Sequence, residues 1–266
     1  MIKVCIIGAA GRMGRNIAAS IYNDGDCEIT GAIDRKDSEF LNQHIYELAG
    51  CGKGGALITD DLLSAASLSD VLIDFTGAAP TVNNLPLYKE AGKPIVIGST
   101  GLSNEEKLKI KDLSKSIPVV FAPNMSLGVN VALKLIEEAA KALQGYDIEL
   151  SEIHHKMKKD APSGTAMAMA QAAAKGANID LEKEAVYSRH GMIGERKENE
   201  IGIQTLRGGD VAGDHTVYFF GNGERLEITH IAHSRQTFAN GAVKAAKWIV
   251  NKPFGLYNMQ DVLGLK

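Results

Sequence analysis

From Glu152 to Thr165 the chain reads Glu-Ile-His-His-Lys-Met-Lys-Lys-Asp-Ala-Pro-Ser-Gly-Thr, with two histidines and three lysines inside positions 154–159. Imidazoles exchange protons near neutral pH. Ammonium groups hold anions, and a helix start offers free N–H donors to a carboxylate or phosphate. A stretch with all three can bind a small anion and pass it a proton. The alternative is a solvated basic loop, the usual fate of a charge run. The flanking elements decide between them.

Residues 147–154 begin as a strand with Ile148 and Leu150 on one face. Ile153 falls on the opposite face, so the pattern predicts a bulge or the strand end there. His154 and His155, adjacent in extended chain, point to opposite sides and take different roles. Asp160 or Ser163 is the predicted N-cap of the next helix, with Pro162 in its first turn. That helix runs from Thr165 to Gly176, and its small side chains suit close packing. Its start presents the amides around Gly164 and Thr165, and the Thr165 hydroxyl, to an anion.

Upstream, residues 2–7 form a short apolar run, as expected of a strand buried on both faces of a parallel sheet. Gly8-Ala9-Ala10-Gly11-Arg12-Met13-Gly14 follows, and residues 15–22 have helical spacing. Strand, glycine turn and helix together seat a pyrophosphate, although the spacing is G-x-x-G-x-x-G rather than G-x-G-x-x-G. The next strand ends at Asp34, about 20 positions after Gly14, where a carboxylate can bind the adenine ribose hydroxyls. Arg35 and Lys36 can instead meet a 2′-phosphate, so both NADH and NADPH are expected to serve.

Alternation of strand and helix continues through a strand at 70–76 and a helix at 79–92 that Pro86 must start or kink. A strand at 94–100, a capping box at Ser103 and Glu106 opening a helix through Lys115, and a strand at 117–124 come next. Successive units of this kind predict a doubly wound parallel sheet. Ligands bind beyond the carboxyl ends of such strands. Residues 75–77, Gly98, Ser99 and Thr100, and Ala122, Pro123, Asn124 and Met125 are therefore candidate cofactor contacts. No cysteine lies at these ends, which argues against thioester chemistry.

A long helix over 126–145 leads into the second half, where 201–206, 216–221 and 225–231 read as antiparallel strands with a hairpin turn at Gly221-Asn222-Gly223. A last helix spans 237–250. His230 and His233 read as structural, since no third ligand is spaced nearby, and no metal site is expected. The net charge of −3 argues against nucleic-acid or membrane-surface partners and leaves the basic cluster to a small anionic ligand. Cys5, Cys27 and Cys51 have no metal-ligand spacing and suggest a reducing cytoplasm. The N-terminus reads as a strand start with no cleavable leader pattern. On these residues alone the chain is a nicotinamide-dependent oxidoreductase or, alternatively, a protein that senses NAD(P) as an effector.

The 152–165 stretch, together with Gly8–Gly14, Asp34-Arg35, Gly98-Ser-Thr-Gly101, 122–130, 207–217 and Arg235–Gly241, resembles the 4-hydroxy-tetrahydrodipicolinate reductase (dihydrodipicolinate reductase) family of lysine and diaminopimelate biosynthesis. That resemblance implies hydride transfer from NADH or NADPH to a cyclic imine dicarboxylate with loss of its 4-hydroxyl. It implies proton transfer by His154 and Lys158, and dicarboxylate binding by His155, Gly164 and Thr165. Nearby carboxylates raise an ammonium pKa, which favours His154 for the proton and Lys158 for binding. The resemblance also implies a homotetramer assembled through the second domain's sheet, and docking of the last helix on the first domain. The expected architecture is α/β: a Rossmann-type doubly wound parallel sheet formed by 1–125 plus 236–266, which binds the dinucleotide. A second α+β domain with an open mixed sheet, 126–235, binds substrate and oligomerises. Segments near 126 and 235 are hinge candidates.

Overall fold

A computed structural model describes residues 1–265. In order, the chain forms β1 (Ile2–Ile7), α1 (Arg12–Asp24), β2 (Cys27–Ile33), α2 (Ile45–Leu48), β3 (Ile58–Thr59), α3 (Leu62–Ser67), β4 (Val71–Asp74), α4 (Ala78–Ala91), β5 (Ile95–Ile97), α5 (Asn104–Leu113) and β6 (Pro118–Phe121). It continues with α6 (Leu127–Ala142), β7 (Asp147–His154), α7 (Gly164–Ala177), α8 (Leu181–Glu184), β8 (Ala185–Val186), β9 (Ile201–Arg207), β10 (Gly213–Gly221), β11 (Glu224–Ala232), α9 (Gln236–Ile249), β12 (Gly255–Tyr257) and α10 (Met259–Leu263). Two compact units result: Met1–Leu127 with the segment from Arg235 onward, and Gly128–Ser234.

The first unit is built on a seven-stranded sheet in the order β12-β6-β5-β4-β1-β2-β3, with every pairing parallel. Its central strands are mostly apolar, as suits a sheet packed on both faces, with the buried Asp74 at the end of β4 an exception. The strand order reverses direction between β1 and β4, the place where doubly wound sheets open a crevice for ligands. α1 begins at Arg12, three residues before the helical spacing becomes visible, since its first turn holds Arg12, Met13 and Gly14. A Cβ on Gly14 would collide with the carbonyl oxygens of Gly8 and Ala9, so only glycine lets α1 press onto the turn. α4 runs through Pro86 without ending and stops at Gly92 in the left-handed region. α9 packs against α1 and the sheet of this unit, where Gly241 lies against the Met125 carbonyl.

The second unit carries a mixed five-stranded sheet in the order β11-β10-β7-β9-β8. β7 pairs antiparallel with β10 and parallel with β9. One face packs against α6 and α7 around Ile148, Leu150, Val217, Phe219, Met169 and Ala173. The predicted bulge or strand end at Ile153 is absent. β7 keeps strict alternation to His154, and its inward positions are Ile148, Leu150, Glu152 and His154. The pattern looked broken because two of those inward residues are polar.

Candidate functional site

The turn after β1 and the ends of β2 and β4 enclose a cavity of about 690 Å³ in the first unit, lined by Gly8, Gly11, Asp34, Arg35, Phe75 and Thr76 among others. Gly8 has φ +77°, and a Cβ there would come within 2.8 Å of Thr76 Cγ2. The bare backbone is therefore required both by its conformation and by the space. Ala9 and Ala10 are buried beneath the turn, while Gly11 and Arg12 are exposed at the start of α1 and Met13 is half-buried. The Asp34 carboxylate accepts hydrogen bonds from the Arg35 amide (2.8 Å) and the Ser38 hydroxyl (3.0 Å), which fixes it at the cavity rim. The Arg35 side chain is exposed and pairs with Asp37 at 3.3 Å. A glycine cradle at a helix start, with a carboxylate at the end of the neighbouring strand, fits a dinucleotide.

Gly98, Ser99, Thr100 and Ala122, Pro123, Asn124, Met125 follow β5 and β6 at the carboxyl edge of the same sheet and do not line this cavity. Gly98 is covered by the Phe75 ring, and the Ser99 hydroxyl accepts from the Gly77 amide at 2.9 Å. A buried network fixes these strand ends. Asp74, fully buried, accepts from the Thr76 amide and hydroxyl, the Thr81 hydroxyl and the Tyr88 hydroxyl, and the Thr81 oxygen lies 2.7 Å from the Ser99 hydroxyl. Burial, with Asp74 beside it, pushes the Tyr88 phenol well above its ordinary value, so it remains a donor. Asn124 accepts from the Ser126 amide at 2.9 Å, and Met125 is buried.

The 152–165 stretch lies entirely in the second unit. His154, the last residue of β7, is buried, and His155, just beyond the strand, is partly exposed. Glu152, fully buried, holds His154 through Nδ1. Glu152 also receives two hydrogen bonds of 3.0 Å from the Arg207 guanidinium, one of 2.9 Å from the Ser163 amide and one of 3.3 Å from the Thr205 hydroxyl. Burial acts to raise the Glu152 pKa, but bonds from Arg207, His154 and Ser163 outweigh it and hold the carboxyl below its ordinary range. Burial lowers the His154 pKa, opposed by Glu152 and reinforced by Lys158 and Arg207.

His215, on β10 opposite Glu152, stands edge-on to His154 with ring centroids 5.0 Å apart. Its Nε2 meets the Ser163 hydroxyl at 3.0 Å. Burial and the neighbouring His154 bring its pKa down to about 4, so it is neutral at physiological pH. Glu152, His154 and His215 thus converge in the manner of a metal site. Arg207 already supplies the cation at this carboxylate, however, and both of its oxygens are committed to donors.

Lys158 donates to both oxygens of Asp160 at 2.9 Å. This pairing lowers the Asp160 pKa, chiefly through the Lys158 hydrogen bond. Asp160 is therefore the lysine's partner and not the N-cap. Ser163 caps α7 by accepting from the Ala166 amide at 3.1 Å, and Pro162 precedes the cap instead of occupying the first turn. α7 ends one residue beyond Gly176, capped by Asn178 in the left-handed region. Gly176 passes the Glu137 carbonyl on α6 too closely for any side chain. The space above Gly164 is open, and Thr165 sits beside it in the first turn. Lys156 and Lys159 are exposed. Ser163 is the cap that the sequence offered, but its tie to Glu152 and the roles of Glu152, Arg207 and His215 were not visible there, because their partners lie up to 55 residues away. The one available sign was a glutamate at an inward strand position two residues before a histidine.

The parallel sheet, its strand order and the glycine turn define a dinucleotide-binding protein of the doubly wound class, with a second unit bearing a histidine–carboxylate pair. Models of the N-terminal and C-terminal parts of dihydrodipicolinate reductase match residues 2–125 and 128–263. A protein of Syntrophotalea carbinolica named 4-hydroxy-tetrahydrodipicolinate reductase is 50% identical over 267 residues, covering 100% of both chains. A Geobacter sulfurreducens protein of the same name is 49% identical with the same coverage. A solved dipicolinate-bound dihydrodipicolinate reductase from Paenisporosarcina sp. TG-14 shares the fold, with a TM-score of 0.77 and 24% identity over 98% of each chain. The chain belongs to the dihydrodipicolinate reductase family. No helix among the described residues is long and apolar enough to cross a membrane.

Proposed function

We propose that this protein reduces 4-hydroxy-tetrahydrodipicolinate to tetrahydrodipicolinate with NADH or NADPH, in lysine and diaminopimelate biosynthesis in the cytoplasm. The observation that carries the proposal is the gathering, in one stretch of the second unit, of a carboxylate-held His154, the cation Lys158 and the open start of α7 at Gly164 and Thr165. Full-length similarity to reductases of that name supports the substrate.

Bound reduced nicotinamide supplies the hydride. Residues 8–13, Asp34 and Arg35 hold the dinucleotide at its adenosine and pyrophosphate parts, and residues 98–100 and 122–125 approach its nicotinamide end. Asp34 suits the ribose hydroxyls of NADH, and the exposed Arg35 suits the 2′-phosphate of NADPH, so both serve. His155, Gly164 and Thr165 bind the substrate's carboxylates, with Lys158 turning from Asp160 towards one of them. The substrate's negative charge favours the protonated form of His154, offsetting the effect of burial, so the acid is loaded as substrate binds. His154, assisted by Lys158, then delivers the proton that accompanies hydride addition and departure of the hydroxyl as water. A positioned acid of this kind contributes about 10²–10⁴ in rate.

The outer face of the five-stranded sheet suits self-association into a homotetramer. Leu206, Ile153 and Ile231 share a row across its strands with Asp214, Tyr218 and Phe220 stack on each other farther along β10, and Leu206 and Ile231 are about half exposed. The functional test is oxidation of NADH and NADPH, followed by absorbance, with substrate formed in situ from pyruvate and aspartate semialdehyde. Substrate-dependent oxidation is expected with either nucleotide. None with either would refute the assignment.

A further inference from the structure

We infer that Glu152, clamped by Arg207, is the positioning residue that fixes His154 in the Nδ1–H tautomer and leaves Nε2 as its working nitrogen. This inference rests on the reading of His154 as the proton donor.

Three features of the geometry converge on it. The Glu152 carboxylate is fully buried and cannot rotate freely, because its oxygens accept from Arg207 Nη1 and Nη2, the Ser163 amide, the Thr205 hydroxyl and His154 Nδ1. The donors come from three segments, Arg207 and Thr205 on β9, Ser163 at the start of α7 and His154 on the carboxylate's own strand. Secondly, an ionised carboxylate only accepts hydrogen bonds, so the nitrogen facing it must carry hydrogen. Neutral His154 is therefore Nδ1–H with a bare Nε2, and protonated His154 offers Nε2–H. Thirdly, Nε2 lies over Gly213, where a Cβ would stand 2.9 Å from it. Glycine at this position, with φ +156°, leaves that nitrogen uncovered.

The charged and titratable groups around His154 all have assigned places. Glu152 lies on its own strand, Arg207 on β9 and His215 on β10, while Lys158 with its partner Asp160 lies in the loop that follows. Arg207 also donates to the Asp160 carbonyl at 2.8 Å, tying that loop to the same clamp. His215 is neutral and turned to Ser163, so it does not compete for the proton. Among the described residues Glu152 is the one carboxylate in hydrogen-bond contact with the His154 ring, and it favours the imidazolium over the neutral form.

The first test uses the unaltered protein. Long-range ¹H–¹⁵N correlation of the histidine rings is expected to show His154 as Nδ1–H with unprotonated Nε2 above its titration; the opposite tautomer overturns the inference. The second test is Glu152→Gln. Its kcat is expected to fall about 100-fold with the nucleotide KM unchanged. The alkaline limb of kcat/KM should also move to lower pH, since the variant lacks the charge that favours imidazolium. A loss of kcat with an unmoved limb would show a merely structural role and overturn the inference. His154→Ala separates the two readings. If it keeps full turnover, the proton-donor reading itself fails. If it loses turnover while Glu152→Gln keeps both rate and limb, only the positioning role fails.

Discussion

Replacing Arg207 by glutamine removes the bidentate partner of a carboxylate that has no solvent contact. Breaking one side of a buried ion pair costs about 3–5 kcal/mol, because the remaining charge stays desolvated. The Arg207 side chain is 21% exposed, which places this pair near the lower end, at about 3 kcal/mol. Glu152 retains the Ser163 amide and His154, so the loss is confined to one donor group. The penalty depends on pH. In the wild-type fold the Glu152 pKa is lowered, so its contribution to stability is present above the unfolded carboxyl titration and is lost as pH falls through the folded value. Without Arg207 burial dominates, the folded pKa rises, and the penalty grows as pH increases through that range. The difference between the two proteins is thus largest near neutrality and shrinks in acid. Hydrogen exchange of the β7 and β9 amides reads it directly: protection should fall about 100-fold at neutral pH and by much less at about pH 5. A change below about threefold at neutral pH, or one independent of pH, would refute the assignment of Arg207 as the counter-ion that makes a buried Glu152 tolerable.

The other perturbations are simpler. His215 is held neutral with its pKa near 4, below its unfolded value, so the unfolded chain takes up a proton first as pH falls and wild-type stability declines between about pH 6.5 and 4. His215→Gln should flatten that decline by about 3 kcal/mol in urea denaturation; an unchanged slope would mean His215 is not buried neutral. Lys158→Ala should raise the substrate KM and lower kcat in steady-state assays, and an effect on neither would remove it from the site. Arg35→Ala should raise the NADPH KM more than the NADH KM. Equal losses would mean that Arg35 does not meet the 2′-phosphate.

Much of the first unit was legible because its signals are local. An apolar run followed by glycines names β1 and its turn, and Ser103 with Glu106 forms the predicted capping box. Its short elements at 45–48, 58–59 and 62–67 have too few residues to establish a period. Pro86 does not start α4, which begins eight residues earlier at Ala78 and continues through it. In the second unit the reading failed where polar residues face inward. Glu152 and His154 continue the β7 pattern, yet a polar residue at an inward position looks like a strand end until Arg207 is brought beside it. Asp74 was hidden in the same way, inside the strand expected over 70–76, while its partners Thr81 and Tyr88 lie on the helix that follows. Asp160 carries the residue type of a cap, and only the position of Lys158 shows that it serves as a counter-ion instead.

Transfer of label tests the central claim most directly. Reduced nucleotide carrying deuterium at nicotinamide C4 on the transferred face is supplied with substrate formed in situ, and the tetrahydrodipicolinate is analysed by mass spectrometry. One deuterium should enter the product for each nucleotide oxidised, and the rate should collapse in His154→Ala although the nucleotide still binds. Product formed without label, or nucleotide left unoxidised in the presence of substrate, would contradict the account.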